Sequence, residues 1–194
     1  MVKYEISRLD TILDQSRDMK EANNTAWKLN ATQAGHRIKT MLEANAGNGD
    51  YWVIYAKYSW LIEANRETHS TKALQEAFYY KPNNPEVHIV QADYHFDKAR
   101  EARGDDRQHP MMQGVETNTE TDKFDQGKIS QSSYEAALLD NLSDVRKAYI
   151  YFKLGNLEEQ IFQQKTNAKK AWEAAVKLAP DSKTGKLAKQ CLQI

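Results

Sequence analysis

Residues 168–180 read AKKAWEAAVKLAP. Ala168, Trp172 and Ala175 stand four and three apart, which places them on one face of a helix. Pro180 ends that helix, because proline donates no backbone hydrogen bond and clashes with the turn before it. The same spacing occurs twice upstream. Residues 70–82, STKALQEAFYYKP, carry Ser70, Leu74, Ala77 and Pro82 in the same places. Residues 130–142, SQSSYEAALLDNL, carry Ser130, Tyr134, Ala137 and Leu142. The small residues admit a close neighbour helix and the large one fills the gap between the two. Ala77, Ala137 and Ala175 are therefore expected at tight helix–helix contacts.

Outward from these segments the apolar residues keep a helical period. A first helix is expected over about residues 3–21 and a second over about 26–46, closed by Gly47-Asn48-Gly49. A third runs over about 51–66, opened by Asp50 as cap, and a fourth over about 71–81. Asn84-Pro85-Glu86 opens a fifth, reaching about Arg103: a capping side chain, a proline at the first position and an acid facing the helix dipole. Residues 104–128 are polar and aperiodic, and read as a long loop. Ser132 and Glu135 have capping-box spacing for a sixth helix. Ser143 caps a seventh, Asn167 an eighth, and Asp181 or Ser182 a short last one.

The repeated segments resemble the second helix of the tetratricopeptide repeat family, with its Ala, aromatic, Ala, Pro pattern. Pro82-Asn-Asn-Pro85 is similar to the family's turn between repeats. Residues 148–156, AYIYFKLGN, resemble its first helix, with Leu154-Gly155 at the Leu-Gly step and Glu158 where the family has an aromatic. The likeness covers about residues 50–192. It implies an all-α fold of about nine helices, in antiparallel pairs stacked as a right-handed superhelix. The implied layout is an N-terminal helix pair over 1–49, repeats over 50–84, 85–144 (carrying the inserted loop 104–128) and 145–181, and a capping helix over 182–194.

Composition agrees with helix. Eight glycines and four prolines are too few for the turns of a sandwich or barrel. The formal net charge is +0, so no global field steers the chain toward nucleic acid or a membrane surface. No run approaches the ~20 apolar residues of a membrane span. One cysteine, Cys191, leaves no internal disulfide and reads as a small buried apolar group. The N-terminal residues lack a secretory core. Both a cytoplasmic protein and a periplasmic one whose signal was removed fit.

Chemistry is sparse. His88 and His95, seven apart, share a face without a third ligand, and no zinc-protease pair occurs. Asp122, Asp125 and Gly127 lack the ligand series of a calcium loop. No phosphate-cradling glycine loop or serine-hydrolase elbow is present. The expectation is a non-enzymatic chain without metal or cofactor. Residues 165–194 hold seven lysines against Glu173 and Asp181, and read as the solvated face of a terminal cap.

The third helix carries Tyr51, Trp52, Tyr55, Tyr58 and Trp60, more aromatics than one core stripe needs. The resemblance turns first helices toward a concave groove. On that basis Trp52, Tyr55, Asp93 and Phe96 are the expected partner-binding residues, with Asp97 extending a mildly acidic wall. The function expected is a protein- or peptide-binding adaptor. Two others stay open: a small-ligand-binding or transport-accessory protein, and a self-assembling scaffold of like copies.

Overall fold

A computed structural model describes residues 2–62, 66–102 and 119–193. Among the described residues there are nine helices and no strand: α1 (Val2–Glu21), α2 (Trp27–Ala44), α3 (Gly49–Ile62), α4 (Arg66–Tyr80), α5 (Pro85–Glu101), α6 (Thr119–Leu138), α7 (Asp144–Gln160), α8 (Lys165–Leu178) and α9 (Lys183–Cys191). The fold is all-α. The chain divides into two compact units, Met1–Val90 and Gln91–Ile194, and the division falls inside α5.

Several helix starts follow directly from side-chain chemistry. Ser143 Oγ accepts the Arg146 amide at 3.3 Å and opens α7. Ser182 Oγ accepts the Gly185 amide at 3.0 Å and opens α9. Asn84 Oδ1 accepts the Glu86 amide at 3.0 Å and opens α5. Each satisfies an amide that has no partner inside its helix.

Three expected caps are corrected. Asp50 lies inside α3, whose first turn is held by Asn48 Oδ1 accepting the Asp50 amide at 3.0 Å. Asp50 instead takes Lys81 Nζ at 2.5 Å and Asn84 Nδ2 at 3.3 Å, tying the start of α3 to the turn after α4. Asn167 lies in the first turn of α8; Gln164 stands at its N-cap, where its side chain caps no backbone amide and its Oε1 accepts Asn167 Nδ2 at 2.5 Å. Ser132 and Glu135 lie in the interior of α6, which starts at Thr119. Residues 119–128 of the expected loop are therefore helical, and the acids Asp122 and Asp125 sit on that helix. Its remainder up to residue 118 lies outside the described residues.

In the first unit, Leu9, Leu13, Ile38, Met41 and Tyr58 anchor the core. Gly35 of α2 is what lets α3 approach: a Cβ there would stand 2.1 Å from the Tyr58 ring. Lys57 of α3 is nearly covered and is paired with Asp10 and, at 3.8 Å, Asp14 of α1. In the second unit, Trp172 of α8 lies on Gly155 of α7, where a Cβ would stand 2.4 Å from Nε1. Both units use the same device, a ring of one helix resting where its neighbour has no side chain.

The nine motif positions are all inward. Ser70, Leu74, Ala77, Ser130, Tyr134, Ala137, Ala168, Trp172 and Ala175 are each at most 6% exposed. The packing repeats as well as the burial. Ser70 Oγ donates to Ala56 O of α3 at 3.3 Å, and Ser130 Oγ donates to Ala92 O of α5 at 2.8 Å. Tyr134 bonds the residue after Ala92, which is Asp93, and Trp172 Nε1 bonds the residue after Gly155, which is Asn156, at 3.1 Å. Ala56, Ala92 and Gly155 are thus equivalent small positions. They set the register of the first helices, which sequence spacing leaves open by a residue or two.

Candidate functional site

That register decides where the four expected partner-binding residues point. In α3 it turns Tyr51, Tyr58 and Trp60 inward and leaves Trp52 and Tyr55 half-buried. Trp52 Nε1 donates to Ala46 O at 2.7 Å, which fixes the indole against the α2–α3 turn. Its ring meets Tyr55 edge-on at 6.1 Å, and Tyr55 stacks on Tyr58 at 6.1 Å. The Lys39 ammonium lies 5.9 Å from the Tyr55 ring and 5.5 Å from that of Tyr58. A cation over π-faces is a favourable contact. The result is a preorganised aromatic surface whose rings have little freedom left to lose on binding.

The structure places Asp93 and Phe96 in the interior of the second unit. With Ala92 against Ser130, the next position faces the other helices of that unit. Asp93 Oδ1 accepts the hydroxyl of Tyr134, and Oδ2 accepts that of Tyr149 at 2.6 Å. Phe96, three residues on, packs with Ala99, Leu157 and Ile161. Asp97 is half-buried and stands 3.9 Å from Arg100. Burial holds the Tyr134 phenol well above its ordinary range, and the Asp93 charge adds to this, so the hydroxyl stays a donor. The readable signal was Tyr134 itself. A phenol in a core position needs an acceptor across the helix pair.

The other titratable groups have local roles. His95 bonds Gln126 at 2.7 Å, and burial pushes its pKa down. His88 meets Phe78 edge-on at 5.2 Å. Cys191 is half-buried beside the α8–α9 cluster, and burial pushes its thiol up. Among the described residues no group of three or more His, Cys, Asp or Glu stands together as a metal site.

Glu158 is nearly buried. Its Oε1 accepts Gln131 Nε2 at 3.3 Å, and its Oε2 is covered without a hydrogen-bond partner. Burial raises its pKa, Glu135 adds to this, and the Asn167 amide opposes it. Because the folded-state value lies above the unfolded one, the contribution to stability is full below about pH 4.3 and is lost as pH rises through the raised value. Glu158→Gln should therefore raise the melting temperature at pH 7 by a few degrees. That advantage should vanish near pH 4 when wild type and variant are melted side by side. An advantage equal at both values would show that ionisation of Glu158 is not what costs stability.

Two exposed features were not singled out by the sequence pattern. Tyr79 and Tyr80 close α4 edge-to-face at 5.0 Å, and Tyr79 is 78% exposed. Tyr79 lies off the Ser70–Leu74–Ala77 stripe, which is why it points out. The second feature is a groove of about 540 Å³ between α1 and α2, with Arg8 and Arg37 at its edge. No protein-family model, curated protein or solved structure matches this chain.

Proposed function

We propose that this chain is a non-enzymatic protein- or peptide-binding scaffold of the tetratricopeptide kind. One observation carries the reading: the same small–large–small triplet packs inward in α4, α6 and α8. The Ser70–Ala56 and Ser130–Ala92 bonds are equivalent, as are the Tyr134–Asp93 and Trp172–Asn156 bonds. Antiparallel pairs built this way bury themselves against neighbours and leave long helix faces for partners. The right-handed superhelix belongs to this reading.

Trp52 and Tyr55 are the partner-binding residues under it. Rigid, half-exposed aromatics are the residue type that concentrates binding energy. Asp93 and Phe96 hold the second unit together and make no direct contact in this reading. The test is capture of partners from the source lysate by wild type and by the Trp52→Ala/Tyr55→Ala double variant. The variant should lose its bound proteins, at about 2 kcal/mol or more per hot-spot ring, with its melting temperature within a few degrees of wild type. Unchanged capture would remove these rings from the binding surface. A collapse in melting temperature would assign them to the core.

A further inference from the structure

We infer that the α1–α2 groove binds an extended peptide segment carrying an acidic side chain two residues from an apolar one. This assignment rests on the reading of the chain as a peptide-binding scaffold, and gives it a second site with a stated ligand.

The groove exists because of which residues face each other. α1 and α2 run antiparallel, with Glu5 bonded to Arg37 at 2.5 Å near one end and Met19 against Asn30 at 3.8 Å toward the other. Ala34 faces the space, and its small side chain leaves the volume of about 540 Å³ open. Leu9, Ile12 and Ala34 make an apolar floor, while Gln15, Asn30 and Gln33 stand along the walls. Residues 5 to 15 of a helix cover about 15 Å at 1.5 Å per residue. An extended chain rises about 3.3 Å per residue, so four or five peptide residues fit that length.

Charge selects the acidic residue. Arg8 is exposed at the rim and has no ion-pair partner among the described residues. Arg37 is partly neutralised by Glu5. A guanidinium presents a planar fork that a carboxylate fills with two hydrogen bonds. Spacing selects the apolar residue. Arg8 and Ile12 are one turn apart, about 6 Å along the helix. In an extended peptide, side chains two apart share a face and stand about 6.6 Å apart. An acid over Arg8 therefore brings the residue two further on over Ile12. The wall amides carry both donors and acceptors, which match peptide backbone groups. An alkyl chain would leave them without partners, which disfavours a fatty acid in the same groove.

The probe is a fluorescein-labelled pentapeptide, Ser-Glu-Ser-Leu-Ser, blocked at both ends, titrated with the full chain and read by anisotropy. It should bind saturably. Exchanging its Glu for Gln, or its Leu for Ser, should weaken binding at least about tenfold. Arg8→Ala should lose a similar factor. Arg8→Glu should reject this peptide and prefer the Ser-Lys-Ser-Leu-Ser version, and since Arg8 is exposed the fold should survive, as circular dichroism will report. Absence of saturation below about 1 mM, or binding indifferent to Arg8→Glu, would overturn the inference. So would decanoate binding to the groove while the peptide does not. If the peptide fails while Trp52- and Tyr55-dependent capture persists, only the groove inference falls. Loss of that capture as well removes the scaffold reading itself.

Discussion

Trp172→Ala is expected to destabilise the second unit by about 3–5 kcal/mol, the range for deleting a large buried ring. The value should lie in the upper part of that range because the site cannot close. The face of α7 under the indole is Gly155, which has no side chain to move into the void. The loss also strips Asn156 Oδ1 of its indole donor at 3.1 Å. Gly155→Ala probes the same contact from the other side. Alanine in a helix interior is worth about 1 kcal/mol over glycine, yet the new Cβ would stand 2.4 Å from the indole nitrogen. Overpacking should win and the change should destabilise. Urea unfolding followed by circular dichroism measures both. A cost below about 1 kcal/mol for Trp172→Ala would mean that α7 and α8 do not depend on this ring.

The motif positions were legible because they recur: a small residue, a large one and an alanine at helical spacing, ended by proline in two of the three segments. The start of α6 was not. Its buried stripe is Lys123, Gly127, Ser130, Tyr134 and Ala137, spaced four, three, four and three. That is a full helical period written mostly in residues a hydrophobicity pattern ignores. Gly127 is buried because Ile161 and Phe162 lie where its Cβ would be. The caps divide in the same way. Ser143, Ser182 and Asn84 cap through their own side chains, so residue type suffices. Asp50 and Asn167 have the right type, but they stand inside their helices rather than at the cap. For the candidate site the deciding quantity was register, since one residue turns a helix position by ~100°. Spacing alone could not tell whether Asp93 or a neighbour faced inward. The Ala92–Ser130 contact settles it, and that contact joins residues 38 apart in sequence.

Asp93→Ala should cost about 2–4 kcal/mol, because it strands two donors rather than deleting one contact. Tyr134 is fully buried, so its hydroxyl has no access to water once the carboxylate is gone. An orphaned buried donor costs about 1–3 kcal/mol by itself. Tyr149 is half-buried and recovers part of its bond from solvent. Tyr134→Phe should cost less, about 1–2 kcal/mol, since Asp93 keeps the Tyr149 hydroxyl at 2.6 Å. The order of the two single changes is thus a consequence of which group is left unpaired. Their combination gives a sharper reading. With Asp93→Ala in place, removing the Tyr134 hydroxyl also removes the orphan, so Tyr134→Phe should then be neutral or stabilising. A double-mutant cycle should return a coupling of at least about 1 kcal/mol. Strict additivity would show that the phenol and the carboxylate do not depend on each other. The repeated link between second-helix ring and first-helix polar residue would then hold only for Trp172 and Asn156.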